Sequence, residues 1–137
     1  AELFSRMGAE VVVAARREEV RKQAKKDGYL TTDFEKGPSL MYGTQTVINT
    51  VPAMVITEDY ICRMRKDALI VDIASKPGGT DFDAAKRYGI RAKLALGLPG
   101  IYTTTSSAEL LKNAISQYAP KEDDVREDRT WIFQIII

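Results

Sequence analysis

The sequence of 137 residues contains no histidine and one cysteine, Cys62. Without histidine there is no imidazole base for a Ser-His-Asp or Cys-His arrangement, and no zinc site of the Cys/His type. A single cysteine also excludes a disulfide within the chain, which is typical of a reduced compartment. We therefore predict no metal site, and the identity of any catalytic residue stays unknown at this point.

Long apolar runs and an excess of charge of one sign are lacking as well. No run approaches the ~20 residues that cross a bilayer, and no signal peptide opens the chain. The formal net charge is +1, so no strong field attracts nucleic acid or an acidic membrane surface. We expect a cytoplasmic protein that binds neither.

Five short runs rich in β-branched residues predict strands, and three of them are almost continuously apolar, as strands covered on both faces of a parallel sheet are. Helical patterns lie between these runs, and alternating strands and helices predict an α/β fold. The predicted strands are 10–15, 29–32, 46–51, 68–74 and 92–97, and the predicted helices are about 17–27, 57–65, 81–88 and 105–118. Thr80 and Asp83 have the spacing of a capping box at the start of the third helix.

The chain divides by composition near residue 120. Residues 1–119 carry the strand and helix pattern, and we interpret them as one α/β domain. Residues 120–137 begin with a charged segment and end in the apolar run "WIFQIII", which we interpret as a linker and an extension.

Basic residues follow the first predicted strand. Ala15 is followed by Arg16 and Arg17, and the first acidic residue is Glu18. In a dinucleotide-binding domain, an acid after the second strand binds the ribose hydroxyls of NAD, whereas arginine accommodates the 2′-phosphate of NADP. In that context Arg16 and Arg17 favour NADP. Two basic residues at the start of a helix are an equally good interpretation of the bare pattern.

Turn-forming residues follow three later strands, at the end of a parallel sheet where α/β proteins bind ligands. Each turn alone is better explained by the need to end a strand. Together they predict a ligand site, in which Lys76 is the cation best placed to meet an anionic group. The candidate residues are Asn49, Thr50, Val51 and Pro52 after the third strand, Lys76, Pro77, Gly78 and Gly79 after the fourth, and Leu98, Pro99 and Gly100 after the fifth.

Four motifs in this order resemble the C-terminal nucleotide-binding domain of one family, that of the dipicolinate synthase A subunit. They are "MGAEVVVAARR", "INTVPAMVIT", "DALIVDIASKPGGTDFDAAKRYGI" and "LALGLPGI". The resemblance runs from about residue 1 to residue 118. It implies that residues 1–119 are a partial NAD(P)-binding domain, with a Rossmann-like parallel sheet and flanking helices.

The resemblance also implies a function. The family is an NADP-dependent oxidoreductase of spore-forming bacteria, which forms dipicolinate from a dihydrodipicolinate-type precursor in the cytoplasm of the mother cell. The resemblance implies a flavoprotein-like second subunit, and it leaves open whether the chain forms a homo-oligomer. By resemblance, residues 15–17, 49–52 and 98–100 contact NADP, and residues 76–79 contact a pyridine dicarboxylate-type substrate.

The chain departs from the family at its start. The family's first strand and glycine-rich turn, and its N-terminal domain, have no counterpart before Ala1. Without a central strand, we expect the runs 10–15 and 46–51 either to pair directly or to leave two exposed edges. We also expect a chain of this extent to be poorly stable, to bind NADP weakly or not at all, and to be inactive alone.

Two alternatives remain at this point. One is a different NAD(P)-dependent dehydrogenase, although such proteins tend to carry an acid where Arg16 and Arg17 stand. The other is an inactive, truncated Rossmann domain that serves as an interaction module for another subunit, to which the apolar end "WIFQIII" would be suited.

Overall fold

The computed structural model describes residues 1–95 and 132–136. The five strands and the first three helices predicted from the sequence are present, several of them shorter than predicted, and the predicted helix 105–118 lies outside the described residues. No helix within the described ranges is long and apolar enough to cross a membrane. In chain order the elements are α1 (Glu2–Arg6), β1 (Glu10–Ala14), α2 (Glu18–Lys26), β2 (Leu30–Thr32), a 3₁₀ turn (Gly37–Leu40), β3 (Thr46–Asn49), α3 (Glu58–Ile61), β4 (Leu69–Asp72), α4 (Phe82–Tyr88), β5 (Arg91–Leu94) and β6 (Ile132–Ile136).

The strands form one sheet in the order β2-β1-β6-β3-β4-β5, and all neighbouring strands are parallel. This confirms the predicted α/β fold. The order is that of a doubly wound dinucleotide-binding sheet, 3-2-1-4-5-6, if β6 is assigned to the position of strand 1. The chain therefore fills the centre of the sheet with a strand that comes last in sequence.

The position of β6 corrects two sequence-based expectations. Residues 132–136 belong to the sheet and are not an extension outside the domain. The strands β1 and β3 neither pair with each other nor leave their inner edges exposed, because β6 pairs with β1 on one side and β3 on the other. The physical reason is that an apolar, β-prone run satisfies the backbone groups of both inner edges, which would otherwise be left without partners.

Alternate residues of the inner strands pack against helices on opposite faces of the sheet, as the two-residue period of a strand requires. Within β3, Val47 and Ile48 belong to different buried clusters, and within β4 so do Ile70 and Val71. One cluster includes Ile61 of α3 and Ala84 and Ala85 of α4, and the other includes Phe4 of α1 and Ala24 of α2. Both faces of the sheet are therefore covered.

Candidate functional site at the carboxyl edge of the sheet

The last residues of all six described strands lie side by side. Because the strands are parallel and end in register, the segments that follow them emerge at one edge of the sheet, where open α/β sheets bind ligands. Across the sheet this row is Thr32, Ala14, Ile136, Asn49, Asp72 and Leu94. Strands in a sheet are spaced about 4.8 Å apart, which separates Ala14 from Asp72 by roughly 14 Å.

The first segment at this edge carries the predicted arginines. Ala15 is buried, whereas Arg16 and Arg17 are exposed, and Arg17 stands at the N-cap of α2. Neither guanidinium has an ion pair or hydrogen bond to any residue that the structure describes. Both cations are therefore available to an anion at this edge.

A third arginine, which the sequence did not single out, shapes this segment. The Nη1 atom of Arg21 donates to the carbonyl oxygens of Ala15 at 2.6 Å and Arg16 at 2.7 Å. These two bonds tie the first turn of α2 to the end of β1. Arg21 therefore fixes the backbone from which Arg16 and Arg17 project.

A cavity of about 370 Å³ lies between α2 and the end of β2. Its lining is basic, since four cations face it against the two carboxylates of Glu18 and Asp33. An ion pair of 2.9 Å joins Glu18 and Lys22, which leaves three cations against one carboxylate. The charge around Arg16 and Arg17 is therefore positive on this side. The four cations are Arg21, Lys22, Lys25 and Lys36.

The second segment follows β3 and is held by Asn49, whose side chain is fully buried. Its Nδ2 atom donates to the carbonyl oxygen of Val51 at 3.0 Å, and its Oδ1 atom accepts from the Val51 amide at 3.0 Å. The amide group of Asn49 thus closes its own turn and leaves Pro52 exposed at the edge. Among the predicted residues of this segment, Thr50 and Val51 are half-buried.

The third segment, residues 73–80, is the Lys76 turn, and a buried carboxylate holds it. Asp72 is 0% exposed. Its Oδ1 atom accepts from the Ala74 amide at 3.0 Å, and its Oδ2 atom accepts from the Gly79 amide at 2.8 Å and the Thr80 hydroxyl at 2.7 Å. The two ends of the turn are therefore bound to one carboxylate.

The capping-box spacing predicted that Thr80 caps α4, but it does not. Asp81 is the N-cap, and its carboxylate accepts from the Ala84 amide at 2.8 Å. The hydroxyl of Thr80 is turned to Asp72 because a buried carboxylate gains more from that bond than an exposed helix end does.

The two glycines of the Lys76 turn serve different purposes. Gly78 has φ of 83°, a left-handed conformation that other residues adopt at a cost. Gly79 has room for no side chain, because a β-carbon there would collide with the carbonyl oxygens of Val51 and Ala53 and lie 2.5 Å from Asn49 Nδ2. Gly79 therefore allows a close backbone approach to the neighbouring segment.

Backbone bonds join this turn to the segment after β3. The Gly79 carbonyl accepts from the amides of Val55 at 3.0 Å and Ile56 at 2.8 Å, and the Asp81 amide donates to the Ile56 carbonyl at 2.9 Å. The two segments form one unit, on whose surface Lys76 and Pro77 are exposed. Lys76 has no hydrogen-bond or ion-pair partner within the described ranges.

The structure thus places residues 15–17, 49–52 and 76–79 along one edge, and Leu98, Pro99 and Gly100 lie outside the described residues. Sequence reasoning missed Asp72, Thr80 and Arg21. A signal for Asp72 was present, because a carboxylate within the apolar run "LIVDIA" has to be hydrogen-bonded if the strand is buried. In the described part of the chain, no group of three or more Cys, Asp or Glu residues could hold a metal ion.

Comparison with known proteins identifies relatives that share both sequence and fold. No protein-family model matches the chain. It is 34% identical over 117 residues to the dipicolinate synthase A subunit of Bacillus subtilis (strain 168). The chain is a homologue of the dipicolinate synthase A subunit. The match covers 85% of this chain and 39% of the relative, so the chain spans about two fifths of the relative's length.

Two crystal structures of the dipicolinate synthase A subunit extend this similarity to the fold. The protein from Bacillus halodurans superposes with a TM-score of 0.69 at 33% identity, over 83% of this chain and 39% of that one. The protein from Bacillus subtilis superposes with a TM-score of 0.70 at 34% identity, over 85% of this chain and 39% of that one.

Proposed function

We propose that this chain is the cofactor-binding part of an NADP-dependent oxidoreductase that forms dipicolinate from a dihydrodipicolinate-type precursor. The observation that carries the proposal is the pair of exposed arginines at the end of β1, which have no partner among the described residues, in a homologue of the dipicolinate synthase A subunit. In a sheet of this order, that strand end meets the adenosine ribose. The proposal includes cytoplasmic function in a spore-former, together with a second, flavoprotein-like subunit.

The described residues fit one end of the cofactor. Arg16 and Arg17 directly precede Glu18, which lines the basic cavity, and an arginine can bind a phosphate through two parallel hydrogen bonds. No glycine-rich turn of the GxGxxG type occurs among the described residues. The described residues therefore fit the 2′-phosphate, the group that NADP carries and NAD lacks.

Bound NADP would supply a hydride acceptor. It would take up the hydride that a dihydropyridine ring has to lose, together with a proton, to become aromatic dipicolinate. The task of the protein is then to align and shield the two rings. Lys76 is the exposed cation of the third segment and suits a carboxylate of the substrate.

The cofactor assignment is tested by charge reversal, Arg16→Glu with Arg17→Glu, in a version extended to the full length of the relatives. The variant should raise KM for NADP at least tenfold more than KM for NAD, because only NADP carries the 2′-phosphate. Charge reversal of the distant Arg63, which forms an ion pair with Asp59, is the control. Equal effects on both cofactors would contradict the assignment to the 2′-phosphate.

The substrate assignment has its own variant. Lys76→Ala in the same full-length protein should raise KM for the precursor and leave KM for NADP unchanged. Lys93→Ala, an exposed lysine of β5, is the matched loss of charge. If Lys76→Ala weakens NADP binding alone, Lys76 anchors the cofactor instead of the substrate.

A further inference from the structure

The carboxylate of Asp72 is buried and hydrogen-bonded, and it does not reach the surface of the edge. Its three donors among the described residues belong to the Lys76 turn and are neutral: two backbone amides and one hydroxyl. No ion pair of Asp72 is found within residues 1–95 and 132–136. The negative charge is therefore compensated by the turn itself.

The Asp72 carboxylate and the Lys76 turn depend on each other. A buried carboxylate is strongly unfavourable unless it is hydrogen-bonded, so the turn must keep Ala74, Gly79 and Thr80 directed inward. Since both ends of the turn are then fixed, Ser75, Lys76 and Pro77 are held outward, and all three are exposed. The conformation of these three exposed residues therefore follows from the buried charge of Asp72.

The same carboxylate also sets the neighbouring segment. The amide of Gly79 donates to Asp72, and the carbonyl of Gly79 accepts from Val55 and Ile56 after β3. A shift of Gly79 would therefore displace the edge at both segments. Asp72 is therefore linked through Gly79 to both segments, the one after β3 and the Lys76 turn.

We propose that Asp72 is a positioning residue for recognition of a dicarboxylate substrate. It does not touch the substrate, because its side chain is 0% exposed, and it acts by holding Lys76 where a carboxylate can meet it. The proposal rests on the proposed function, in which Lys76 binds the substrate. It adds the group that fixes the Lys76 turn and explains why a charged residue ends a buried strand.

The probe is pyridine-2,6-dicarboxylate, titrated into the 137-residue chain while backbone amide resonances are followed by NMR. Binding should shift the amides of Ser75 and Lys76. Asp72→Asn should raise the Kd at least tenfold, because an Nδ2 group cannot accept from Gly79 or Thr80. Asp67→Asn, before the opposite end of the same strand, is the matched control and should leave the Kd unchanged.

If Asp72→Asn does not fold, a second pair of variants tests the proposal. Thr80→Val removes one of the three bonds and should raise the Kd several-fold, and Thr80→Ser, which restores the hydroxyl, should return it to the original value. A purely structural loss would not depend on the presence of Lys76. In a Lys76→Ala background, Thr80→Val should therefore have no further effect on the Kd, whereas an undiminished effect would overturn the proposal.

The two proposals fail in different ways. If the unaltered chain does not respond to the dicarboxylate, the substrate assignment fails, and the amide spectra without ligand then decide the role of Asp72. Thr80→Val should move the amide resonances of Ser75, Lys76, Gly78, Gly79, Val55 and Ile56, and Asp67→Asn should not. Unchanged resonances in the Thr80 variant would overturn the positioning role.

Discussion

Gly79 packs so tightly against Asn49 that a β-carbon added to Gly79 would lie 2.5 Å from the side-chain nitrogen of Asn49. The same β-carbon would collide with two carbonyl oxygens of the segment after β3. These neighbours are backbone atoms and a buried amide that is itself hydrogen-bonded, so none of them can easily move. The close contact joins two ligand-side segments into one unit.

Gly79→Ala should therefore destabilise the domain although it adds only one methyl group. Overpacking of a buried site typically costs about 1–3 kcal/mol, and we expect the upper part of this range. The measurement is the free energy of unfolding from urea titration. Ser75→Ala, an exposed change in the same turn, should alter it by less than about 0.5 kcal/mol. Equal stability of the two variants would show that the segments separate easily.

The central position of β6 predicts a specific cross-link. Gln134 is in register with Val12 of β1. In a Cys62→Ser background, cysteines at 12 and 134 should form a disulfide under mild oxidation, because neighbouring strands bring Cα atoms within the range that a disulfide spans. The readout is the mobility of the oxidised chain on a non-reducing gel, with peptide mapping of the bond.

The control pairs position 134 with a cysteine at Ala92 of β5, three strands away from β6 in the sheet. This pair should remain reduced. A cross-link between two chains at 12 and 134 would place β6 in a second copy, and an equal yield for the control pair would contradict the sheet order.

Burial of a tyrosine makes stability depend on pH in alkaline solution. Tyr60 is 3% exposed and donates from its hydroxyl to the Phe34 carbonyl at 2.8 Å. Burial first, and then the nearby charges of Asp33 and Asp59, raise the pKa of Tyr60 from 10.0 to about 12. Because the folded state favours the neutral phenol, this stability is fully present below pH 10 and is lost as pH rises to about 12.

The free energy of unfolding should accordingly fall by roughly 2 kcal/mol between pH 10 and 12 through this residue alone. Tyr60→Phe should be less stable at pH 8, because it loses the bond to Phe34, and should lack this part of the alkaline decline. Tyr42→Phe, at a tyrosine that is 66% exposed, should keep the decline. An identical pH profile for all three proteins would contradict the role of Tyr60.

Much of this architecture follows from local sequence. Runs rich in β-branched residues predict β1 to β5, three of them almost continuously apolar as strands covered on both faces are, and the resemblance predicts a Rossmann-like sheet. The place of β6 was not predictable in the same way. Its run "WIFQIII" indicates only a strand, and its partners are more than 80 residues away in sequence, so pairing is decided by two unpaired edges that exist only in the fold.

The candidate site shows the same division. Exposed cations such as Lys76 are identified by their place after a strand, since any residue there reaches the carboxyl edge. The roles of Asp72 and Thr80 depend on which buried donors meet which acceptor, and Thr80 has two good local partners. The capping-box spacing favoured a bond from Thr80 to the start of α4. In the structure the Thr80 hydroxyl donates to the buried Asp72 carboxylate instead, and Asp81 caps the helix.

Arg21 holds the carbonyl oxygens of Ala15 and Arg16, and its removal should weaken phosphate binding at the end of β1. Arg21→Met should keep the aliphatic packing of the side chain and release both carbonyls, so that Arg16 and Arg17 lose their fixed backbone. We expect the affinity for adenosine 2′,5′-bisphosphate, measured by calorimetry on the full-length protein, to fall about tenfold.

One charge is lost in any such variant, so Lys22→Met, one residue further on α2, is the matched control and should change the affinity less than threefold. Equal losses would assign the effect to net charge around the basic cavity, and no loss in either variant would remove the end of β1 from the phosphate site.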